Sequence, residues 1–504
     1  MFDNFLMGIS VVFQFKGIIA IGIGVLWGTV GGMIPGINAT IAMALLLPFT
    51  WGLDPAVAVM MLSGVYCGGE YGGSIPAVLI GTPGTNAAAA TVFDGYELHK
   101  QGKTGVGLYA SLLASVFGGM FGAIVLVFIA IPLASVALAF GPAEYFVLAL
   151  VGLTLICSLG EGNVFKGIWA GLLGILLSTI GLDPFSGTPR LTMGFLSLTD
   201  GLEMIPLMMG LFAVSEVFKE AIDITGEKEK FINVKLDMSF PSWPLIKSWI
   251  PCGIFGSSLG VIIGAMPGAG ATVASFLAYT GVKKWSKNPE SFGKGNPLGV
   301  IAPESANNAV TGGAMVPLLA LGIPGSNSTA IMLGALMIHN ITPGPMLFVN
   351  NPEIPYGIFS ALFVANIFML FVGLICIRFA VKVANLSKPV LLSVIMALVF
   401  TGSYAYSGEV FDVGLALFCG LIGLAMRKGN LPHTATVLGF VLGFIMEANL
   451  RRALIISRGS YWGVLFNSNI STVLFSIALL SVLWALLRPI MHTSVKNRKH
   501  EAAV

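Results

Sequence analysis

Proline followed by glycine inside apolar sequence is the feature of this chain that can do chemistry. Pro35-Gly36 is followed by Asn38 and Thr40, and Thr82-Pro83-Gly84 by Thr85 and Asn86. The same residue types return later. Pro267-Gly268 precedes Gly270 and Thr272, and Ile323-Pro324-Gly325 precedes Ser326, Asn327 and Ser328. Proline removes a backbone donor and glycine escapes helical dihedrals, so each pair breaks a helix. The small polar residues then stand where a new half-helix begins, with its unpaired N–H groups and positive dipole end facing the break. Such a tip suits a carboxylate, while freed carbonyls and hydroxyls suit a small cation; sodium is expected at the same tips, with no particular ligand set. In hydrocarbon a broken helix is tolerated only where protein or a watery cavity surrounds it. Four tips meeting near the midplane would form one site.

The breaks belong to a longer internal repeat. Gly24, Gly28, Gly32, Pro35, Gly36, Ala39 and Thr40 recur as Gly256, Gly260, Gly264, Pro267, Gly268, Ala271 and Thr272, a constant offset of 232 residues. The second block, with Pro76 and residues 81–86, recurs as Pro317 and residues 322–327 at an offset of 241. Two halves, each with Pro-Gly interruptions in matching places, point to a secondary transporter. The Gly24, Gly28, Gly32 stripe and its copy read as a helix-packing seam. Duplicated amides and hydroxyls are not needed for packing, so the tips read as a site.

The elements that must position these tips are membrane helices. Of 504 residues, 56% are hydrophobic and 10% charged, and the mean hydropathy is +0.90. A soluble domain carries roughly a quarter charged residues. Apolar stretches near spanning length recur, among them 17–33, 106–140, 164–182, 355–379 and 410–426. The expected fold is an all-α polytopic membrane protein of about 10–12 transmembrane helices, with broken helices or re-entrant hairpins. The lipid bilayer is therefore its surroundings. The net charge of +3 is too small to imply a nucleic-acid partner. Cys67, Cys157, Cys252, Cys376 and Cys419 show neither metal nor disulfide spacing and read as buried small hydrophobes.

Residues 1–218 read as the first repeat half, 219–247 as a polar linker, 248–490 as the second half and 491–504 as a basic tail. The linker holds five Lys and five Asp/Glu. Equivalent loops carry opposite charge bias. Lys283, Lys284, Lys287 and Lys294 answer a stretch, 50–55, with no Lys or Arg; Lys100 and Lys103 answer 339–345, which also has none. By the positive-inside rule this favours an inverted repeat.

Glu70 and Glu304 each precede the second break of their half, and Asn307 and Asn308 follow Glu304 closely. Intramembrane carboxylates are functional by default, so these four are candidates for coupling, as cation ligands or proton carriers. No Arg occurs before Arg190, so the first half cannot clamp an anion with a guanidinium. Helix N-termini, hydroxyls and co-bound cations must then carry an anionic substrate. His99 and His339, at nearly matching places, read as loop or interface residues. Gly102-Lys103-Thr104 fails as a phosphate loop because Glu97 stands where glycine is required. No catalytic constellation is visible, so no enzyme is expected.

The runs GGSIPAVLIGTPGTN (72–86), GAMPGAGAT (264–272), PESANN (303–308) and LGIPGSNS (321–328) closely resemble the large membrane subunit of tripartite tricarboxylate transporters. The resemblance implies a multi-pass translocating subunit in a bacterial inner membrane. It implies as partners a small membrane subunit and a periplasmic solute-binding protein that delivers a small organic acid, with citrate typical of the family. It also implies coupling to an ion gradient, sodium or proton, rather than ATP, and no other cofactor. The residue roles above come from the motifs themselves. The competing reading is a stand-alone sodium or proton symporter for a small organic anion, needing no binding protein.

Overall fold

The computed structural model describes residues 2–34, 36–159, 164–223, 240–384 and 388–483. Pro35, residues 224–239 of the polar linker and the 491–504 tail lie outside the described residues, as does the side chain of Cys157. The other four cysteines are free and buried. Apart from one two-stranded hairpin, Gly181–Leu182 with Pro189–Arg190, the regular structure among the described residues is helical. Six helices there are long and apolar enough to cross a membrane, with six shorter apolar helices beside them. The protein is an all-α polytopic membrane protein.

The sequence repeat is also a repeat of elements. Phe15–Met33, Ala39–Leu46, Pro55–Gly72 with Ser74–Ile80, Ala89–Lys100 and Thr104–Ala137 form the first series. Trp243–Gly264, Gly270–Trp285, Leu298–Leu321, Asn327–Ile338 and Glu353–Ala384 form the second. The second break begins alike in both: Gly81 (φ +67°) and Gly322 (φ +77°) end their helices in the left-handed region, which glycine enters without a Cβ clash.

The glycine stripe is the seam that joins the elements of each series. A Cβ on Gly24, Gly28 or Gly32 would run into the carbonyl oxygen of Met61, Val65 or Gly69 on Pro55–Gly72. On Gly256, Gly260 and Gly264 it would run into Ala302, Ala306 and Val310 of Leu298–Leu321. These partners are themselves 241 residues apart, pair by pair. One packing arrangement therefore satisfies both sequence offsets. Small residues let the backbones touch, which is how apolar helices gain contact where lipid is as apolar as the protein. Pro55–Gly72 and Leu298–Leu321 are buried along nearly their whole length.

The chain groups into two compact units, Met1–Leu138 with Glu203–Leu424, and Ala139–Leu202 with Ala425–Val504. Each unit takes chain from both sequence halves. In the second, Val164–Ser178 packs on His433–Ile456: Gly439 abuts the carbonyl of Gly171, and Gly174 that of Thr436. In the first, Gly210 abuts the carbonyl of Ala416, and Gly420 the side chain of Val214. The two arrangements match, with helix pairs drawn from opposite halves. The hairpin of the second unit is held by ion pairs: Arg190–Glu447 at 2.7 Å, Arg451–Asp183 at 2.9 Å and Arg451–Glu447 at 2.6 Å. The Arg451 guanidinium, with the Phe185 N–H, holds the Asp183 carboxyl down to about 2.

The seam gives a direct expectation. Gly28→Leu forces a side chain into the Val65 backbone and lowers stability by about 1–3 kcal/mol or more. Gly52→Ala, where nothing lies within 4 Å, leaves stability unchanged. Thermal unfolding of the purified variants in detergent reads the difference.

Candidate translocation site

The four breaks lie in the first compact unit, and they adjoin one another. Within each half the second break presses on the end of the first: Gly84 lies against the Gly32 carbonyl, and Gly325 against that of Gly264. A side chain at either glycine would separate them. Between halves, the first tip of one meets the second tip of the other. Ala39–Leu46 packs on Asn327–Ile338, and Gly270–Trp285 on the turn at 86–88.

Three of the four tips are built by local side-chain capping. Asn38 Oδ1 accepts from the Ile41 N–H at 2.9 Å, opening Ala39–Leu46. Thr85 Oγ1 accepts from the Ala88 N–H at 3.4 Å. Ser326 and Thr329 form a reciprocal capping box that opens Asn327–Ile338. The tip at 268–272 has no side-chain cap: Gly268 (φ +86°) and Gly270 (φ +66°) turn the chain, and Thr272 is half-buried.

Two hydroxyl pairs tie the halves together here. Thr40 Oγ1 lies 3.1 Å from Ser328 Oγ, and Tyr66 Oη lies 2.9 Å from Ser326 Oγ. Thr40, Thr85 and Ser328 are buried, so these hydroxyls hold the tips in place. Thr82, Asn86 and Asn327 are exposed. Asn86 and Asn327 are repeat equivalents at the first position after the cap. They present one amide from each half at the second tips, where a donor can meet an anion. Gly36 (φ +94°) faces the carboxylates of Glu216 and Glu220.

Glu70 and Glu304 are not repeat equivalents. The 241-residue offset sets Glu70 against Thr311 and Glu304 against Ser63, about two helical turns apart. Glu70 is half-buried and its carboxylate makes no hydrogen bond among the described residues; Glu304 is wholly buried. Thr91 Oγ1 donates to Glu304 Oε1, and Ser115 Oγ donates to Oε2 at 3.2 Å. Asn307 Nδ2 donates to the Glu70 carbonyl at 3.0 Å, and Asn308 Nδ2 to that of Cys67 at 3.2 Å. The two asparagines therefore pin the central helix of the second half to that of the first.

Sequence reasoning missed Tyr66, Thr91 and Ser115. A signal existed for the first, since Tyr66 is the equivalent of Asn307, a polar residue in each central helix. It also missed Asp94, a wholly buried carboxylate. Oδ1 of Asp94 accepts the N–H groups of Gly293, Gly295 and Asn296 at 2.9, 2.9 and 2.7 Å, and Oδ2 accepts the Tyr279 hydroxyl at 2.9 Å. This carboxylate fixes a loop of the other half.

The chain matches the tripartite tricarboxylate transporter TctA family over residues 18–438, which includes all four breaks and both carboxylates. The chain belongs to that family. Among its relatives is an uncharacterized 52.8 kDa protein of the TAR-I ttuC′ 3′ region of Agrobacterium vitis, 37% identical over 491 residues, 96% of this chain and 95% of that one. A second, from the TAR-II ttuC′ 3′ region of the same organism, is 36% identical over 246 residues, 49% of this chain and 99% of its own length. No solved structure matches the chain significantly. As a TctA-family protein it is a membrane protein of a transport family.

Asp94→Ala leaves three backbone N–H groups and one hydroxyl without their acceptor, a loss of about 1.5–3 kcal/mol. The purified variant is expected to unfold at lower temperature, and its 293–296 loop to exchange amide hydrogens faster.

Proposed function

We propose that this TctA-family protein is the translocating subunit of a secondary-active, cation-coupled system that takes up tricarboxylates or related organic acids across a bacterial inner membrane. A periplasmic solute-binding protein delivers the substrate, and a small membrane subunit completes the complex. The halves 1–218 and 248–490, joined through 219–247, act as an inverted repeat in which one group of helices moves against another. The observation that supports the reading is the convergence of four helix tips, three of them side-chain capped, in a family of transporters.

Substrate carboxylates sit against the N-termini that follow Pro35-Gly36, Thr82–Asn86, Gly268–Thr272 and Gly325–Ser328. Asn86 and Asn327 donate their amides. A coupling cation, sodium or proton, is held by carbonyls and hydroxyls at the same tips, with Glu70, Glu304, Asn307 and Asn308 as coupling residues. Opposite charge bias in equivalent loops supports the inversion. The absence of any Arg before Arg190 supports anion binding by helix ends and a co-bound cation rather than by a guanidinium clamp.

The test is uptake of labelled citrate into liposomes holding the protein and its small partner, with and without the cognate binding protein, under sodium or proton gradients. Accumulation that requires both the binding protein and a gradient is expected. Accumulation without the binding protein would instead fit a stand-alone symporter. Equilibration without accumulation would contradict coupling. Asn86→Ala and Asn327→Ala are expected to lower uptake about tenfold or more, the effect of one charge-assisted hydrogen bond. Both side chains are exposed, so both variants remain folded in membranes. Wild-type uptake in both would remove the tips from the site.

A further inference from the structure

Glu304 and Asn307 are both 0% exposed, one helical turn apart on Leu298–Leu321. Among the described residues no Lys, Arg or His pairs with Glu304; its carboxyl oxygens accept from the hydroxyls of Thr91 and Ser115. A buried carboxylate with no countercharge costs far more than a neutral carboxyl, so a proton or a cation belongs with it. Asn307 indicates which. Its Nδ2 is fixed as the donor to the Glu70 carbonyl, since only the amide nitrogen can donate there. That leaves Oδ1 as a buried acceptor without a hydrogen-bond partner, on a side chain one helical turn along from Glu304. Unpaired buried acceptors are rare and each calls for a donor. A neutral Glu304 carboxyl has one O–H to give.

Resting on the transport reading, we propose that Glu304 and Asn307 form a proton site, in which a neutral Glu304 carboxyl donates its O–H to Asn307 Oδ1. On release the carboxyl O–H bond breaks, the proton passes to water, and the carboxylate keeps the donated hydrogens of Thr91 and Ser115. The two states thus lean on different halves. The neutral form uses Asn307 of its own helix, and the ionised form relies on hydroxyls of Ala89–Lys100 and Thr104–Ala137. Relative movement of the halves changes which form is favoured, which is how a carrier couples a proton to transport.

The titratable neighbours are few. Pro55–Gly72 brings Glu70, Tyr71 and Cys67, and Thr104–Ala137 brings Tyr109. On Ala89–Lys100 and Gly270–Trp285, Asp94 and Tyr279 are engaged with each other and with the 293–296 loop, and Trp243–Gly264 brings Cys252. Asn327–Ile338 carries no titratable residue. Glu70 is the carboxylate whose charge acts on Glu304, and among the described residues no Lys, Arg or His pairs with either.

Infrared spectroscopy of the purified protein at neutral pH tests the site without substrate or transport. A neutral-carboxyl C=O stretch is expected in the wild type, absent in Glu304→Gln, present in Glu70→Gln, and shifted in Asn307→Ala, where the acceptor is gone. No band removed by Glu304→Gln means an ionised Glu304 and overturns the proposal. A band removed instead by Glu70→Gln overturns it too. Should Glu304→Gln fail to accumulate, Asn307→Ala decides: an unshifted band contradicts the pairing. Loss of citrate uptake with the band intact in wild type would count against the transport reading and leave the proton site standing.

Discussion

Everything near the centre of this protein depends on backbone touching backbone at glycine. Gly32 and Gly264 each offer a carbonyl oxygen to a glycine of the following break, Gly84 and Gly325. The seam below them, Gly24 and Gly28 in one half and Gly256 and Gly260 in the other, sets the helices close enough for that meeting. No side chain fits at these positions, so the distance between the first and second tips is fixed by the absence of one. Helix ends that would be costly in hydrocarbon are thereby buried against each other, with hydroxyls and amides closing the open backbone groups.

The same constraint governs how charge is carried inside. With no arginine before Arg190, the helices of the first series have no guanidinium to offer a buried carboxylate, and the fold treats each acid separately. Asp94 is satisfied by three backbone N–H groups and a tyrosine, a rigid arrangement that suits a structural group. Glu304 has only neutral hydroxyls donating to it, and an unfilled amide oxygen lies one turn along its helix, which is the basis for the two-state site proposed above. Acid residues of the same type thus take different work from their surroundings. By contrast, the ion-paired cluster of Asp183, Arg190, Glu447 and Arg451 fastens a hairpin in the other compact unit.

Much of this was legible in the sequence because its chemistry is local. Pro-Gly breaks helices wherever it falls, and Ser, Thr or Asn after a break caps the next one, so tips and caps could be read directly. The glycine seam was legible for a related reason, since a four-residue spacing lines up on one helix face. What faces what across the halves was not. Nothing local says that Thr91 and Ser115 reach Glu304, or that Asp94 organises 293–296; those are tertiary meetings of residues about 190–210 apart. Glu70 and Glu304 both precede the second break of their half, yet they stand at different repeat positions, since carboxylates, unlike the prolines, do not recur at one offset here. A further stretch of repeat, Gly162, Val164 and Phe165 against Gly408, Val410 and Phe411, was present in the residues at one offset of 246. The hairpin at 181–190, which has no counterpart among the described residues of the second half, shifts the register after it and conceals the continuation.

The central claim is that tips from opposite halves meet, and the most direct measurement is a cross-link between them in native membranes. Thr40→Cys with Ser328→Cys, in a background without Cys67, Cys157, Cys252, Cys376 and Cys419, replaces two oxygens that lie 3.1 Å apart. The account predicts rapid disulfide formation on mild oxidation, and none when Thr40→Cys is paired with a cysteine at exposed Gly52. Failure of the 40–328 pair to cross-link, in protein that is folded and inserted, would contradict the meeting of the tips and the site built on it.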